Sequence, residues 1–131
     1  MRILIVEDEF LIALDIEDVV RSLGHEVVGP ANSLARVKEL AANIDLALVD
    51  VRLYDGITGP DVAEYLAAEL GVTVVFMTGN PEAVRASTAA IGVLQKPFGL
   101  GHVSDVIKYA AAVRDGRHPA PPRELELLPA A

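Results

Sequence analysis

The sequence predicts an α/β domain built on an open, all-parallel sheet, and three observations carry that reading. Short aliphatic runs alternate with longer segments whose apolar residues recur at helical spacing, which implies parallel strands joined by right-handed crossovers. The runs are apolar almost throughout rather than at every second residue, as strands covered by helices on both faces are. The 131 residues of the chain also fall well short of the eight units and roughly 250 residues that a closed barrel needs.

Taken in order, residues 2–6 form a first strand broken off by Glu7-Asp8-Glu9. Residues 10–23 then carry Ile12, Ile16, Val19, Val20 and Leu23 on one helical face, closed by Gly24. Residues 25–30 read as a second strand, and Ser33 as the cap of a helix presenting Leu34, Val37, Leu40 and Ala41. Leu46 to Val49 have the composition of a sheet centre and stop on a carboxylate, Asp50. After the turn signal Tyr54-Asp55-Gly56, Pro60 is well placed to open a third helix with Val62, Leu66 and Leu70 inward. Residues 72–77 are β-branched and apolar, a fourth strand that stops at Thr78-Gly79. Asn80-Pro81-Glu82 supplies a cap, an N1 proline and a first-turn acid for a fourth helix reaching about Ala90. Residues 92–95 are a fifth strand ending at Lys96-Pro97-Phe98, and residues 100–114 a last helix with Leu100, Val103, Val106, Ile107 and Ala110 in register.

Five such units predict a flavodoxin-like (βα)5 three-layer sandwich with sheet order 2-1-3-4-5, in one domain over residues 1–114. From residue 115 to 131 the composition shifts, with Pro119, Pro121, Pro122 and Pro129 around Leu125, Leu127 and Leu128. That tail is expected to be disordered on its proline content, or to hold a short docking segment in its leucine cluster.

Bulk properties narrow the function. Eleven Lys and Arg against 19 Asp and Glu give a formal net charge of −8, which opposes nucleic-acid binding because phosphate neutralisation needs clustered cations. Protein partners are expected instead. The absence of cysteine excludes disulfides, thiolate metal sites and cysteine nucleophiles. The opening apolar run is broken at once by three acids, unlike a secretory signal, and no run approaches membrane-spanning length. A cytoplasmic protein is the expectation.

In the predicted order, strands 1 and 3 flank the point where ligands bind in open α/β sheets, beyond the carboxyl ends of the strands. Glu7 and Asp8, Asp50, Thr78 and Lys96 all fall at such ends. Three adjacent carboxylates repel one another, and a hard divalent cation, Mg²⁺ (or Mn²⁺), relieves that while leaving a position for a phosphate oxygen. A carboxylate can attack phosphorus to give an acyl phosphate, and the oxygens of the transferring group must be met by fixed positive charge and donors. Asp50 is then the nucleophile, Lys96 the counter-cation and Thr78 a hydroxyl donor. His25, His102 and His118 show no clustering that suggests a metal site.

With Glu7-Asp8, Asp50, Thr78-Gly79 and Lys96-Pro97-Phe98 in these places, the chain resembles the receiver domain of two-component response regulators over residues 1 to about 114. The resemblance implies that Asp50 is the phosphoacceptor, that Asp8, Asp50 and the backbone carbonyl of Arg52 ligate Mg²⁺ with Glu7 in the outer shell, and that Thr78 and Lys96 contact the phosphoryl oxygens. It implies a cis bond before Pro97. It further implies a sensor histidine kinase or histidine phosphotransfer protein as donor, a downstream protein target, an output or dimer face around the fourth helix, fifth strand and fifth helix, and no enzymatic activity beyond self-phosphorylation and autodephosphorylation. Arg85, Ser87, Val93 and Tyr109 are candidates for that face, with core packing the favoured role for Val93. Phe76-Met77-Thr78-Gly79 is similar to the signature of the stand-alone "FAT GUY" receivers of alphaproteobacteria, although Met77 replaces a small residue there. Val93 stands where most receivers carry an aromatic switch residue, so the switch is expected to run through the loop and fourth helix after Thr78.

Two other readings compete. An aspartate-nucleophile phosphatase uses Asp-x-Asp, the second acid protonating the leaving group, and here that position is Arg52. A pseudo-receiver, folded as an adaptor without phosphorylation, has no need of Asp50, Thr78 and Lys96 together.

Overall fold

The computed structural model describes residues 1–129. Its strands are β1 (Arg2–Val6), β2 (Glu26–Ala31), β3 (Leu46–Asp50), β4 (Thr73–Thr78), β5 (Gly92–Gln95) and β6 (Leu125–Leu127). Its helices are α1 (Phe10–Ser22), α2 (Leu34–Leu40), α3 (Gly59–Glu64) and α4 (Leu100–Arg114). The six-stranded sheet runs β2-β1-β3-β4-β5-β6. Every pairing from β2 to β5 is parallel, as the alternation of elements requires, and β6 alone is antiparallel.

The continuous aliphatic strands divide their side chains between two layers. Ile3, Ile5, Leu46, Leu48, Val75, Met77 and Leu94 pack with Ile16 and Val20 of α1 and Val106 and Ile107 of α4. Leu4, Val6, Ala47, Val49, Val74, Phe76 and Val93 pack with Val37 of α2 and Val62 and Leu66 on the opposite side. This is the period of two of a strand, with both faces buried. Gly24 ends α1 at φ +85°, where its N–H donates to the Arg21 carbonyl. Ser33 Oγ caps α2 by accepting from the Arg36 N–H at 3.2 Å. Past Glu64 the third helix widens into one π-helical turn, Tyr65–Glu69. Among the described residues no helix is long and apolar enough to cross a membrane.

Two expectations are corrected. The fourth helix does not form: only one 3₁₀ turn, Pro81–Val84, follows β4. Asn80 makes no side-chain cap there, and its own N–H is taken by Thr78 Oγ1 at 3.0 Å. Beyond it, Val84 is the only large apolar residue before Ile91, and Ser87 Oγ accepts from the Ala89 N–H in a local turn. Without an apolar stripe to pack, a short segment with favourable end signals does not propagate.

The second correction concerns the tail: its described part, residues 115–129, is not disordered, and its leucine cluster docks on the chain itself, while residues 130 and 131 lie outside the described residues. After α4 it crosses back, and residues 125–127 pair with Gly92, Val93 and Leu94 of β5. Leu125 and Leu128 are buried, and burying them offsets the ordering entropy that the prolines had seemed to forbid.

Candidate functional site at the carboxyl edge of the sheet

The order β1-β3-β4-β5 brings four strand ends side by side. Val6 pairs with Val49, Asp50 with Met77 and Thr78 with Gln95. Glu7 and Asp8 follow β1, Asp50 ends β3, Thr78 ends β4, and Lys96 follows β5 directly. The ladder continues past Asp50, where the Val51 N–H donates to the Met77 carbonyl at 3.2 Å, and past Thr78, whose carbonyl accepts from the Lys96 N–H at 2.8 Å. These bonds hold the carboxylate and the ammonium against each other.

Lys96 Nζ donates to Glu7 Oε1 at 2.8 Å and to Asp50 Oδ2 at 3.1 Å, while Glu9 lies at 4.0 Å. Glu7, Asp50 and Thr78 are buried, and Asp8 is exposed. One carboxylate oxygen from each of Glu7, Asp8 and Asp50 falls within 4.8 Å of the others. It is the only group of metal-capable side chains of this kind among the described residues. His25 instead lies 3.0 Å from the chain's amino group, and His102 is 3.5 Å from Glu124.

Electrostatics follow from that crowding. Burial, reinforced by the neighbouring Asp50 carboxylate, pushes the Glu7 carboxyl up to about 8 against the lowering effect of Lys96. For Lys96 burial pulls the other way, but its hydrogen bonds and charge contacts with Glu7 and Asp50 outweigh it and hold the ammonium above its ordinary value. Glu7 Oε2 is buried with no hydrogen-bond partner. A buried carboxylate oxygen left unpaired beside two further carboxylates is the donor set a hard, oxygen-seeking divalent cation fits.

The mouth is an open depression of about 540 Å³ lined by Asp8, Asp50, Arg52, Tyr54, Thr78 and Lys96, among others. Arg52 is exposed on its rim. The loop between is tied by reciprocal Leu53–Gly56 backbone bonds and by Thr58 Oγ1 donating to Asp55 at 2.6 Å. The Lys96–Pro97 bond is cis. Val93 is buried in the sheet, paired with Phe76, in the packing role expected of it rather than on the surface face.

Sequence reasoning missed Gly59, which read only as the residue before a helix proline. A Cβ there would lie 2.2 Å from the Asp50 carbonyl oxygen and 2.5 Å from Val51 Cα. Only a glycine lets α3 press against the backbone that carries Asp50. The Gly-Pro pair before the third helix was the one signal available.

Residues 3–108 match the family model for the response regulator receiver domain. The phyllosphere-induced regulator PhyR of Methylorubrum extorquens is 38% identical over 116 residues, covering 83% of this chain and 43% of that protein. The crystal structure of the response regulator PhyR from Brucella abortus superimposes with a TM-score of 0.74 at 33% identity, covering 88% of this chain and 49% of that one. The chain thus spans about half the length of these relatives. A CheY-like receiver domain protein from Methanospirillum hungatei gives a TM-score of 0.77 at 24% identity over 88% of this chain and 96% of its own, a likeness of fold.

Proposed function

Because this chain belongs to the response regulator receiver domain family, we propose that it is a phosphorylation-driven signalling module in which Asp50 accepts a phosphoryl group from the phosphohistidine of a sensor kinase or phosphotransfer protein. The observation that carries the reading is Lys96 Nζ, held between Asp50 at 3.1 Å and Glu7 at 2.8 Å where Asp8 adds a third carboxylate. An Asp50 carboxylate oxygen attacks phosphorus, the bond to the donor's imidazole nitrogen breaks, and a mixed anhydride remains on the protein. Water later attacks that phosphorus and returns the carboxylate. Lys96 and the Thr78 hydroxyl meet the charge on the equatorial oxygens.

The acid cluster fits Mg²⁺ or Mn²⁺. Asp8, Asp50 and the Arg52 carbonyl would hold the ion with Glu7 outside them, and bound there it neutralises the cluster and the incoming phosphate. An acid at position 52 would make the site a phosphatase by protonating a leaving group. Arg52 cannot, which disfavours phosphate esters as donors, so the acyl phosphate serves as a transient signal and the output is contact with another protein. Of the two other readings, the adaptor without phosphorylation is the weaker, since it gives a half-buried Lys96 between two buried carboxylates nothing to do.

The signal leaves the site through the loop after Thr78, whose hydroxyl already accepts the Asn80 N–H. A phosphoryl oxygen drawing that hydroxyl away would release Asn80 and the 3₁₀ turn beyond it. The test is an NMR titration with beryllofluoride, a phosphoryl mimic, with and without Mg²⁺. Metal-dependent shift changes spreading from Asp50 over residues 78–90 are expected. No response at Asp50, or a response without metal, would contradict the reading.

A further inference from the structure

Residues 125–128, outside the stretch matched by the family model, cover the edge of β5. Their contact there is short but chemically specific. Only residues 125–127 pair with β5, extended by the Leu128 N–H donating to the Ile91 carbonyl at 3.1 Å. Leu125 and Leu128 are each 5% exposed and enter opposite layers, Leu125 opposite Leu94 and Leu128 in the layer that holds Val93. Between them Glu126 takes a fork of two hydrogen bonds from Arg85, at 2.8 and 3.1 Å. Gly92 makes room for the strand: a Cβ there would fall 2.7 Å from Leu125 Cδ1 and 3.0 Å from the Glu126 carbonyl.

A free strand edge is a template for any extended chain, and backbone ladder bonds with alternate side-chain pockets are how such edges recognise peptides. Here the edge carries a lipophilic slot over Gly92, a second slot by Val93 and a guanidinium between. The segment that fills it comes after a proline-rich connection, and three residues of pairing are little to hold it. We propose that the β5 edge is a strand-accepting site occupied in cis by residues 124–128, and that this domain's partner protein displaces them with an extended, antiparallel segment of the same chemistry: an acidic residue facing Arg85, flanked by aliphatic residues in the positions of Leu125 and Leu128. Arg85 sits on the loop that begins at Thr78, so phosphorylation at Asp50 would reach the occupant through it. That coupling rests on the function proposed above, whereas the strand site itself does not.

The probe is a fluorescent peptide of residues 121–129, added without metal or phosphoryl donor to the full wild-type chain and to a Leu125→Asp/Leu128→Asp variant whose tail cannot dock. Because a tethered occupant competes at high effective concentration, the peptide should bind the variant about tenfold or more tighter than wild type. Adding Arg85→Glu to that variant should abolish the gain, and a Glu126→Lys peptide should recover part of it. Equal binding to wild type and variant, or binding to neither, overturns the proposal. Should the variant fail to fold, hydrogen exchange in the wild-type chain decides. A Leu128 amide that opens far more readily than Val49 in β3 supports an exchangeable strand, and one that opens only with global unfolding overturns it. A further arm adds beryllofluoride with Mg²⁺ to wild type: stronger peptide binding supports the coupling, and its absence removes the coupling while leaving the site.

Discussion

Lys96 and Asp50 face each other across β4, 3.1 Å apart, although they lie 46 residues apart in the chain. The same ammonium is 2.8 Å from Glu7, so one cation serves two buried carboxylates at the ends of different strands. Replacing Lys96 with Met removes that cation while keeping the stem. In chelator the variant should lose about 1–3 kcal/mol of stability, the usual effect of leaving buried polar groups unpaired. Mg²⁺ should restore part of this in chemical denaturation. Unchanged stability would mean that Glu7 and Asp50 do not depend on Lys96.

Metal binding should stabilise the native chain by mass action. At Mg²⁺ concentrations about 100-fold above the dissociation constant the gain is about 2.7 kcal/mol, readable as a rise in melting temperature that EDTA reverses. Asp8→Ala should erase the rise, while the melting temperature in EDTA falls no lower than wild type because one of three mutually repelling carboxylates is gone. A full rise in that variant would remove Asp8 from the ion's ligands.

Arg52 is exposed on the rim of the depression that holds Asp50, where its side chain would border the approach of water to an acyl phosphate on Asp50. Arg52→Ala should change the dephosphorylation rate several-fold and leave the extent of phosphorylation intact. Decay of radiolabelled protein after removal of the donor measures it, and an unaltered rate would take Arg52 out of the hydrolytic step.

The tail strand should respond to acid. Hydrogen bonds from Arg85, with its charge, hold Glu126 below the ordinary carboxylate value of 4.5. An acid whose pKa is lowered on folding contributes its stability above the unfolded value and loses it as pH falls through the folded one. Exchange at the Leu128 amide, corrected for its intrinsic pH dependence, should therefore accelerate below about pH 4.5. Glu126→Gln should abolish that step and bring the faster exchange to neutral pH. A step of equal size in the variant would assign it to other carboxylates.

How much of this was legible in the chain follows from range. Leu46 to Val49 could be read as a central strand because a strand buried on both faces must be apolar throughout, and Asp50 stood out because it ends such a run. Glu7, Asp8, Thr78 and Lys96 were legible for the same reason, once one topology placed their strand ends together. The fourth helix was misread because Asn80-Pro81-Glu82 are local signals, while helix formation there needed an apolar stripe that Val84 alone does not make. For the tail, the prolines misled toward disorder, and the docking allowed for its leucine cluster had no readable address, since the slots that bury Leu125 and Leu128 are built along the edge of β5. The Arg85–Glu126 pair, 41 residues apart, and the pressure of Gly59 on the Asp50 backbone leave no mark on spacing or periodicity.

The claim on which the rest depends is that Asp50 accepts a phosphoryl group. Intact-mass measurement after incubation with acetyl phosphate and Mg²⁺ tests it most directly, with Asp50→Asn alongside. The wild-type chain should gain one phosphoryl group, lost again on standing, and the variant none. Equal modification of both chains, or of neither, would contradict the account.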